Sequence, residues 1–229
     1  MHIGLIPDGN RRYMKKKGIT NLMDSYRAGI NKFYDFLEWS MKRGVKEVTI
    51  YALSMENIKN RDPREIESLY TVFSEQAKKA IKDDRIHKNR IHINICGDKE
   101  FLVKNGNPQL AKELVGNMGD LEKETAKYSN FTLNFAIAYG GRQEIVNAVK
   151  KLLSKGLEVN EENIGKNLWV KDEPEIIIRT SEDRLSNFLV WQSAYSEVYF
   201  LEKLWQDFTE KDLDDVLKDY SSRERRFGK

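Results

Sequence analysis

Six short apolar runs rich in β-branched residues recur along this chain, at positions 3–6, 45–53, 91–96, 131–138, 175–179 and 197–201, with helical spacing in most of the intervals between them. Runs of this length suit strands, while 24–43, 63–85, 109–128, 142–155 and 188–195 suit helices, as does a closing Asp-rich segment over 209–220. Such alternation predicts an α/β fold: a single domain over 1–229, built on a mainly parallel six-stranded sheet flanked by helices on both faces. The most loop-like interior stretch is 98–119, with Asn105-Gly106-Asn107-Pro108, but the strands on either side of it continue one pattern.

Composition removes several classes. With 40% hydrophobic and 33% charged residues the chain reads as globular rather than disordered. A net charge of +3 gives no bulk basic stripe for nucleic acid. The one cysteine, Cys96, excludes an intramolecular disulfide and fits a reducing compartment; inside an apolar run it reads as core rather than nucleophile. No segment reaches the roughly 18 apolar residues that span a bilayer, and the run 2–6 is too short for a signal peptide. A cytoplasmic protein is expected, one that meets any lipid from the water side or at the membrane surface.

In open α/β sheets, ligands bind outside the carboxyl ends of the strands, so the residues there matter most. The first strand leads into Pro7-Asp8-Gly9-Asn10-Arg11-Arg12. Asp8 suits a hard cation such as Mg²⁺, Gly9 permits close backbone approach, and the arginines can clamp phosphate oxygens in pairs. Asp-Gly and Asn are also ordinary turn residues, and 12–17 also reads as a solvated helix face. Convergence is the stronger signal: Ser54 to Asn57, Tyr139 to Arg142 and Arg179 to Asn187 follow other strands and bring polar, anion-suited groups to the same rim.

Five blocks in order, Asp8-Gly9-Asn10, Tyr51 to Ser54 with Glu56-Asn57, Tyr139-Gly140-Gly141-Arg142, Arg184 to Leu189 with Trp191-Gln192, and Arg223 to Gly228, resemble the cis-prenyltransferase family over essentially the full chain. The resemblance implies Mg²⁺-dependent elongation of an allylic prenyl diphosphate by isopentenyl diphosphate. It implies Asp8 and Glu197 at the metal. Gly9, Asn10, Arg11 and Arg12 would cradle the allylic diphosphate, with Asn57 and Arg61 completing that edge. Arg179, Arg184 and Ser186 would hold isopentenyl diphosphate, and Asn10 and Ser54 would orient groups for proton removal. The Arg226-Phe227-Gly228 ending implies a homodimer in which the tail reaches the neighbouring site. Phe33, Phe36, Leu37, Leu69, Phe73, Ala77, Phe135 and Ile137 are the candidates to line a tunnel for the growing chain.

The chain departs from the family pattern in places. Ser25-Tyr26 replaces a common Gly-His pair, no Arg stands at the usual upstream position, and the loop 180–184 is a residue short and lacks its glycines. Two other readings follow: a short-chain or branching, lavandulyl-type synthase, and a non-catalytic isoprenoid-binding partner subunit. The intact Asp8-Gly9-Asn10 argues against the partner subunit. An aspartate-nucleophile phosphohydrolase would need a second acid two residues after Asp8, where Asn10 stands.

Overall fold

The structure is a computed structural model, and it describes residues 1–223. In chain order the elements are β1 (His2–Ile6), α1 (Asn10–Lys17), α2 (Leu22–Lys42), β2 (Glu47–Ser54), α3 (Met55–Asn60), α4 (Pro63–Ala80), α5 (Asp84–Lys88), β3 (Ile91–Cys96), α6 (Lys99–Lys104), α7 (Pro108–Thr125), β4 (Phe131–Tyr139), α8 (Gly141–Ser154), α9 (Glu161–Asn167), β5 (Ile176–Thr180), β6 (Glu197–Leu201), a 3₁₀ turn at Trp205–Asp207 and α10 (Glu210–Ser222). The six strands form one sheet in the order β3-β4-β2-β1-β5-β6. Every pairing in it is parallel, so the sheet is wholly rather than mainly parallel.

Strand side chains alternate between faces, and two cores result. Ile3, Leu5, Val48, Ile50, Leu133 and Ile178 pack with α2, α4 and α7. On the other face Ile6, Cys96, Ala136 and Ile177 pack with Phe188, Leu189 and Val170. Burial pushes the Cys96 thiol far up, so it is an inert core group.

Helix α2 buries Tyr26, Gly29, Phe33, Phe36, Leu37 and Ser40, one stripe at three- and four-residue spacing, and starts where the Asn21 side chain accepts from the Met23 N–H. Helix α4 starts with Asp62 capping Arg64 and Pro63 in the first turn, and buries Ile66, Leu69, Tyr70 and Ala77. Each large apolar side chain so buried stabilises the fold by about 1.5–3 kcal/mol.

Two sequence expectations fail. Residues 188–195 form turns rather than a helix, because Ser186 (φ 49°), Asn187 (φ 65°) and Leu189 (φ 43°) are left-handed, a conformation no helix of L-residues sustains. The stretch 98–119 is largely helical. Asp98 caps α6 through the Phe101 N–H, and Asn107-Pro108 is the cap and first residue of α7 rather than an extended loop.

Candidate active site

At the carboxyl ends of β1 and β5, Asp8 meets Arg179. The Asp8 N–H donates to Thr180 Oγ1 (2.9 Å), and the Thr180 hydroxyl donates back to the Asp8 carbonyl (2.8 Å), locking the two strand ends together. Arg179 Nη2 then donates to Asp8 Oδ2 at 2.9 Å, and Nη1 donates to Ser186 Oγ at 2.7 Å and to the Arg184 carbonyl. Arg179 is only 3% exposed and its Nε has no partner within the described residues. A buried cation with a spare donor at a rim is suited to an anion. Gly9 (φ 105°) is required here, since a Cβ would lie 2.5 Å from Ser181 Oγ.

Two further carboxylates, neither foreseen from sequence, hold the remaining arginines. Glu65 is buried and accepts from Arg11, from the Tyr26 hydroxyl (2.7 Å) and from Arg61 Nη1 (2.9 Å); Arg61 also donates to the Tyr26 oxygen (3.2 Å). Burial alone would raise the Glu65 carboxyl, but Tyr26, Arg11 and Arg61 together hold it below the usual range. Burial and Glu65 push the Tyr26 hydroxyl up, so it stays a donor. Tyr26 is therefore part of the arginine scaffold. Glu182 pairs with both Arg12 and Arg184, at 2.8 and 2.9 Å. The i,i+4 spacing of Arg61 and Glu65 was the one sequence signal for this arrangement.

The polar residues expected to assist proton removal are engaged locally. Ser54 Oγ accepts the Asn57 N–H and the Asn57 side chain accepts the Ser54 N–H, a capping box that starts α3. The Asn10 side chain accepts from Gln206 (2.6 Å) and donates to the Pro7 carbonyl (3.2 Å). Gly29 passes close beside it, where a Cβ would lie 2.9 Å from Asn10 Oδ1.

From this rim a cavity of about 740 Å³ runs between α2, α4 and the sheet, a size typical of sites for small organic ligands. Asp8, Asn10, Ser54, Asn57, Arg61, Arg179, Arg184 and Ser186 border its polar end. Of the expected apolar lining, Phe33, Leu37, Leu69, Phe73, Ala77, Phe135 and Ile137 face it. Phe36 does not, and packs against Trp205 and Phe208 instead.

Within one chain, Glu197 stands apart from Asp8. It opens β6 opposite Ile176, whereas Asp8 lies beyond the Ile6–Arg179 pair, so the two carboxylates sit at opposite ends of the sheet, about 10 Å apart or more along the strand direction. Glu197 pairs with Arg223. The carboxylate pair expected at the metal is therefore not assembled within one chain, and no group of three or more metal-suited side chains occurs among the described residues. Asp8 alone still fits a magnesium-type site, because Mg²⁺ is commonly held by one or two carboxylates together with substrate phosphates. Arg226 and Gly228 lie outside the described residues.

Set beside known proteins, residues 6–228 match the family model described as "Putative undecaprenyl diphosphate synthase". The chain is 40% identical to a tritrans,polycis-undecaprenyl-diphosphate synthase (geranylgeranyl-diphosphate specific) from Pyrobaculum aerophilum, covering 100% of this chain and 95% of that one. It is 39% identical to an isoprenyl transferase from Thermus thermophilus, covering 100% and 88%. Its fold superposes on lavandulyl diphosphate synthase from Lavandula x intermedia, solved in complex with dimethylallyl diphosphate, with a TM-score of 0.88 and 29% identity over 100% and 98% of the chains. An anion-suited rim opening into an apolar tunnel and a match over nearly every residue lead to one assignment: the chain belongs to the cis-prenyltransferase family and is a prenyltransferase of the cis-polyprenyl diphosphate synthase type.

Proposed function

We propose that residues 1–229 form one catalytic unit that condenses isopentenyl diphosphate with an allylic prenyl diphosphate and repeats the step, with Mg²⁺ held by Asp8. The carrying observation is the joining of two chemistries in one cavity: Arg61, Arg179, Arg184 and Asp8 line the end where two diphosphates would lie, and an apolar channel starts beside them. Bound Mg²⁺ would neutralise charge on the departing diphosphate.

The chain's own groups supply the rest. Arg11, Arg12 and the backbone at Gly9 cradle the allylic diphosphate, with Asn57 and Arg61 at its edge. Arg179, Arg184 and Ser186 hold the second substrate, and fixed cations of this kind stabilise charge that grows as the allylic carbon–oxygen bond breaks. The alkene of isopentenyl diphosphate forms the new carbon–carbon bond, and the proton it then loses needs an acceptor. Asn10 is an amide and the Ser54 hydroxyl already accepts a capping hydrogen bond, so neither is a strong base. A diphosphate oxygen takes the proton, while Asn10 and Ser54 orient the reacting groups.

The archaeal relative's name points to geranylgeranyl diphosphate as the starter. The lavandulyl diphosphate synthase likeness keeps a short or branched product as the second reading. A homodimer completed by Arg226 and Gly228 belongs to the same proposal, as does product release at a membrane surface from a cytoplasmic enzyme; no described helix is long and apolar enough to cross a membrane. Incubation with labelled isopentenyl diphosphate and, in turn, dimethylallyl, geranyl, farnesyl and geranylgeranyl diphosphates, with Mg²⁺ or with chelator, tests the reading. A Mg²⁺-dependent product ladder is expected, and no product from any starter would overturn it.

A further inference from the structure

The 3₁₀ turn at Trp205–Asp207 is pinned to the substrate rim from behind. The Trp205 N–H donates to the Asp8 carbonyl (3.0 Å), and its buried indole Nε1 donates to the Gly29 carbonyl on α2 (2.8 Å). One helical turn earlier on α2, Ser25 Oγ donates to the Asn10 carbonyl at 3.1 Å. These bonds bring the next residue of the turn, Gln206, against the Asn10 side chain, where its Nε2 donates to Asn10 Oδ1 at 2.6 Å. Asn10 borders the cavity, and Gln206 is not among the described residues that do.

A side-chain amide has a donor end and an acceptor end, and its neighbours decide which way round it sits. Here two backbone carbonyls decide. The Pro7 carbonyl accepts from Asn10 Nδ2 (3.2 Å), and the Ser25 carbonyl accepts from Gln206 Nε2 (3.5 Å). Turning either amide over would set oxygen against oxygen. One arrangement satisfies both: Gln206 gives an N–H to Asn10 Oδ1, and Asn10 Nδ2 keeps a second N–H beyond the one it gives to Pro7. Asn10 can thus offer a donor, rather than its oxygen, to a diphosphate at the rim. The arrangement has a cost, because Gln206 Oε1 is buried without a partner within the described residues and a buried unpaired acceptor is unfavourable. An apolar side chain would avoid that cost but could not hold Asn10.

We infer that Gln206 is a positioning residue that acts through Asn10, keeping its amide turned with an N–H toward the departing diphosphate. The inference rests on the condensation reading above. Donation to that group strengthens as its charge grows, so the signature lies in kcat. The test is a double-mutant cycle: kcat and both KM values, from geranylgeranyl diphosphate and labelled isopentenyl diphosphate with Mg²⁺, for the wild type, Gln206→Met, Asn10→Ala and the double variant. Gln206→Met, which keeps the side-chain length and removes the donor, is expected to lower kcat about tenfold, while the KM for isopentenyl diphosphate stays within about twofold. In the Asn10→Ala background the same change should lower kcat no further. Wild-type kcat in Gln206→Met would overturn the inference. So would an equal loss in the Asn10→Ala background, since a turn displaced as a whole also disturbs Asp8. A wild type without product overturns both readings. If Gln206→Met fails to fold, Gln206→Ala takes its place in the same cycle.

Discussion

Glu65 and Glu144 are both buried carboxylates, and they keep opposite electrostatic company. Glu65, at the substrate rim, is surrounded by Arg11, Arg61 and the Tyr26 hydroxyl. Glu144, 1% exposed on α8, pairs with no cation among the described residues. It accepts from the Tyr139 hydroxyl, the Val170 N–H (2.8 Å) and the Gln192 amide (3.1 Å). Burial raises the Glu144 carboxyl despite those three donors, whereas the Tyr26 hydroxyl and the two guanidiniums together overcome burial at Glu65 and lower it.

The difference separates two uses of a buried acid. At the rim, negative charge keeps cations in place that have work to do on an anion. Behind the rim, an acid ties β4, the 168–170 segment and the turn at Gln192 together, and so steadies the left-handed loop that carries Arg184, Ser186 and Asn187. That loop is further tied by Asn187, whose carbonyl accepts the Gly141 N–H (2.7 Å) and whose side chain accepts the Arg142 N–H (2.9 Å) and donates to Glu56 (2.9 Å).

The sharpest test of the division is Asp8→Asn, which removes rim charge and keeps one of the two oxygen acceptors that Gly9 and Arg179 use. Turnover is expected to fall roughly 10²–10³-fold with little change in the urea midpoint; wild-type turnover would break the assignment of Asp8 to the metal. Next in size is Glu144→Ala, which strands three buried donors and should cost about 3 kcal/mol in denaturant unfolding. A loss no larger than that of an exposed alanine substitution would show that the network is not a brace. Glu65→Ala should cost less, about 1–2 kcal/mol, because it strands the Tyr26 hydroxyl while the half-exposed Arg11 and the partly exposed Arg61 can rehydrate.

The two acids should also bend the pH–stability curve in opposite directions. A lowered carboxyl stabilises above its unfolded pKa, and the gain is lost as pH falls through the folded value; a raised one stabilises below its unfolded pKa, and the gain is lost as pH rises through the folded value. Glu65→Gln should therefore flatten the acid limb and Glu144→Gln the opposite one, as read from unfolding midpoints across pH. Glu47 belongs with Glu144: burial, with Asp172 nearby, raises its carboxyl from 4.5 to about 7. Glu47→Gln should abolish the loss of stability between those two values, and an unchanged slope would refute that attribution.

Much of this organisation was legible in the chain. The strands were readable to within a residue or two because a parallel sheet buried on both faces leaves near-continuous apolar runs. The rim was readable because strand ends collect ligand-binding residues. Glu197 begins its strand rather than following it, so register sets it apart from Asp8 within one chain. The turns at 188–195 have helical spacing but are anchored by Gln192, whose amide donates inward to the Val170 carbonyl (2.7 Å) and to Glu144. The pairing of Arg11 with Glu65, 54 residues apart, and of Arg12 and Arg184 with Glu182, depends on packing that no local pattern records.

The strand order also has a bearing on how the molecule comes into being. The first strand lies in the interior of the sheet, and its Asp8 is locked to Thr180, 172 residues later. At a synthesis rate of roughly 5–20 residues per second, the opening strand waits on the order of ten seconds with one edge unpaired. An unpaired, mostly apolar edge invites pairing with another chain. A chain that ends before β5 thus lacks Arg179, Arg184 and Ser186 and leaves that edge of β1 without its strand partner.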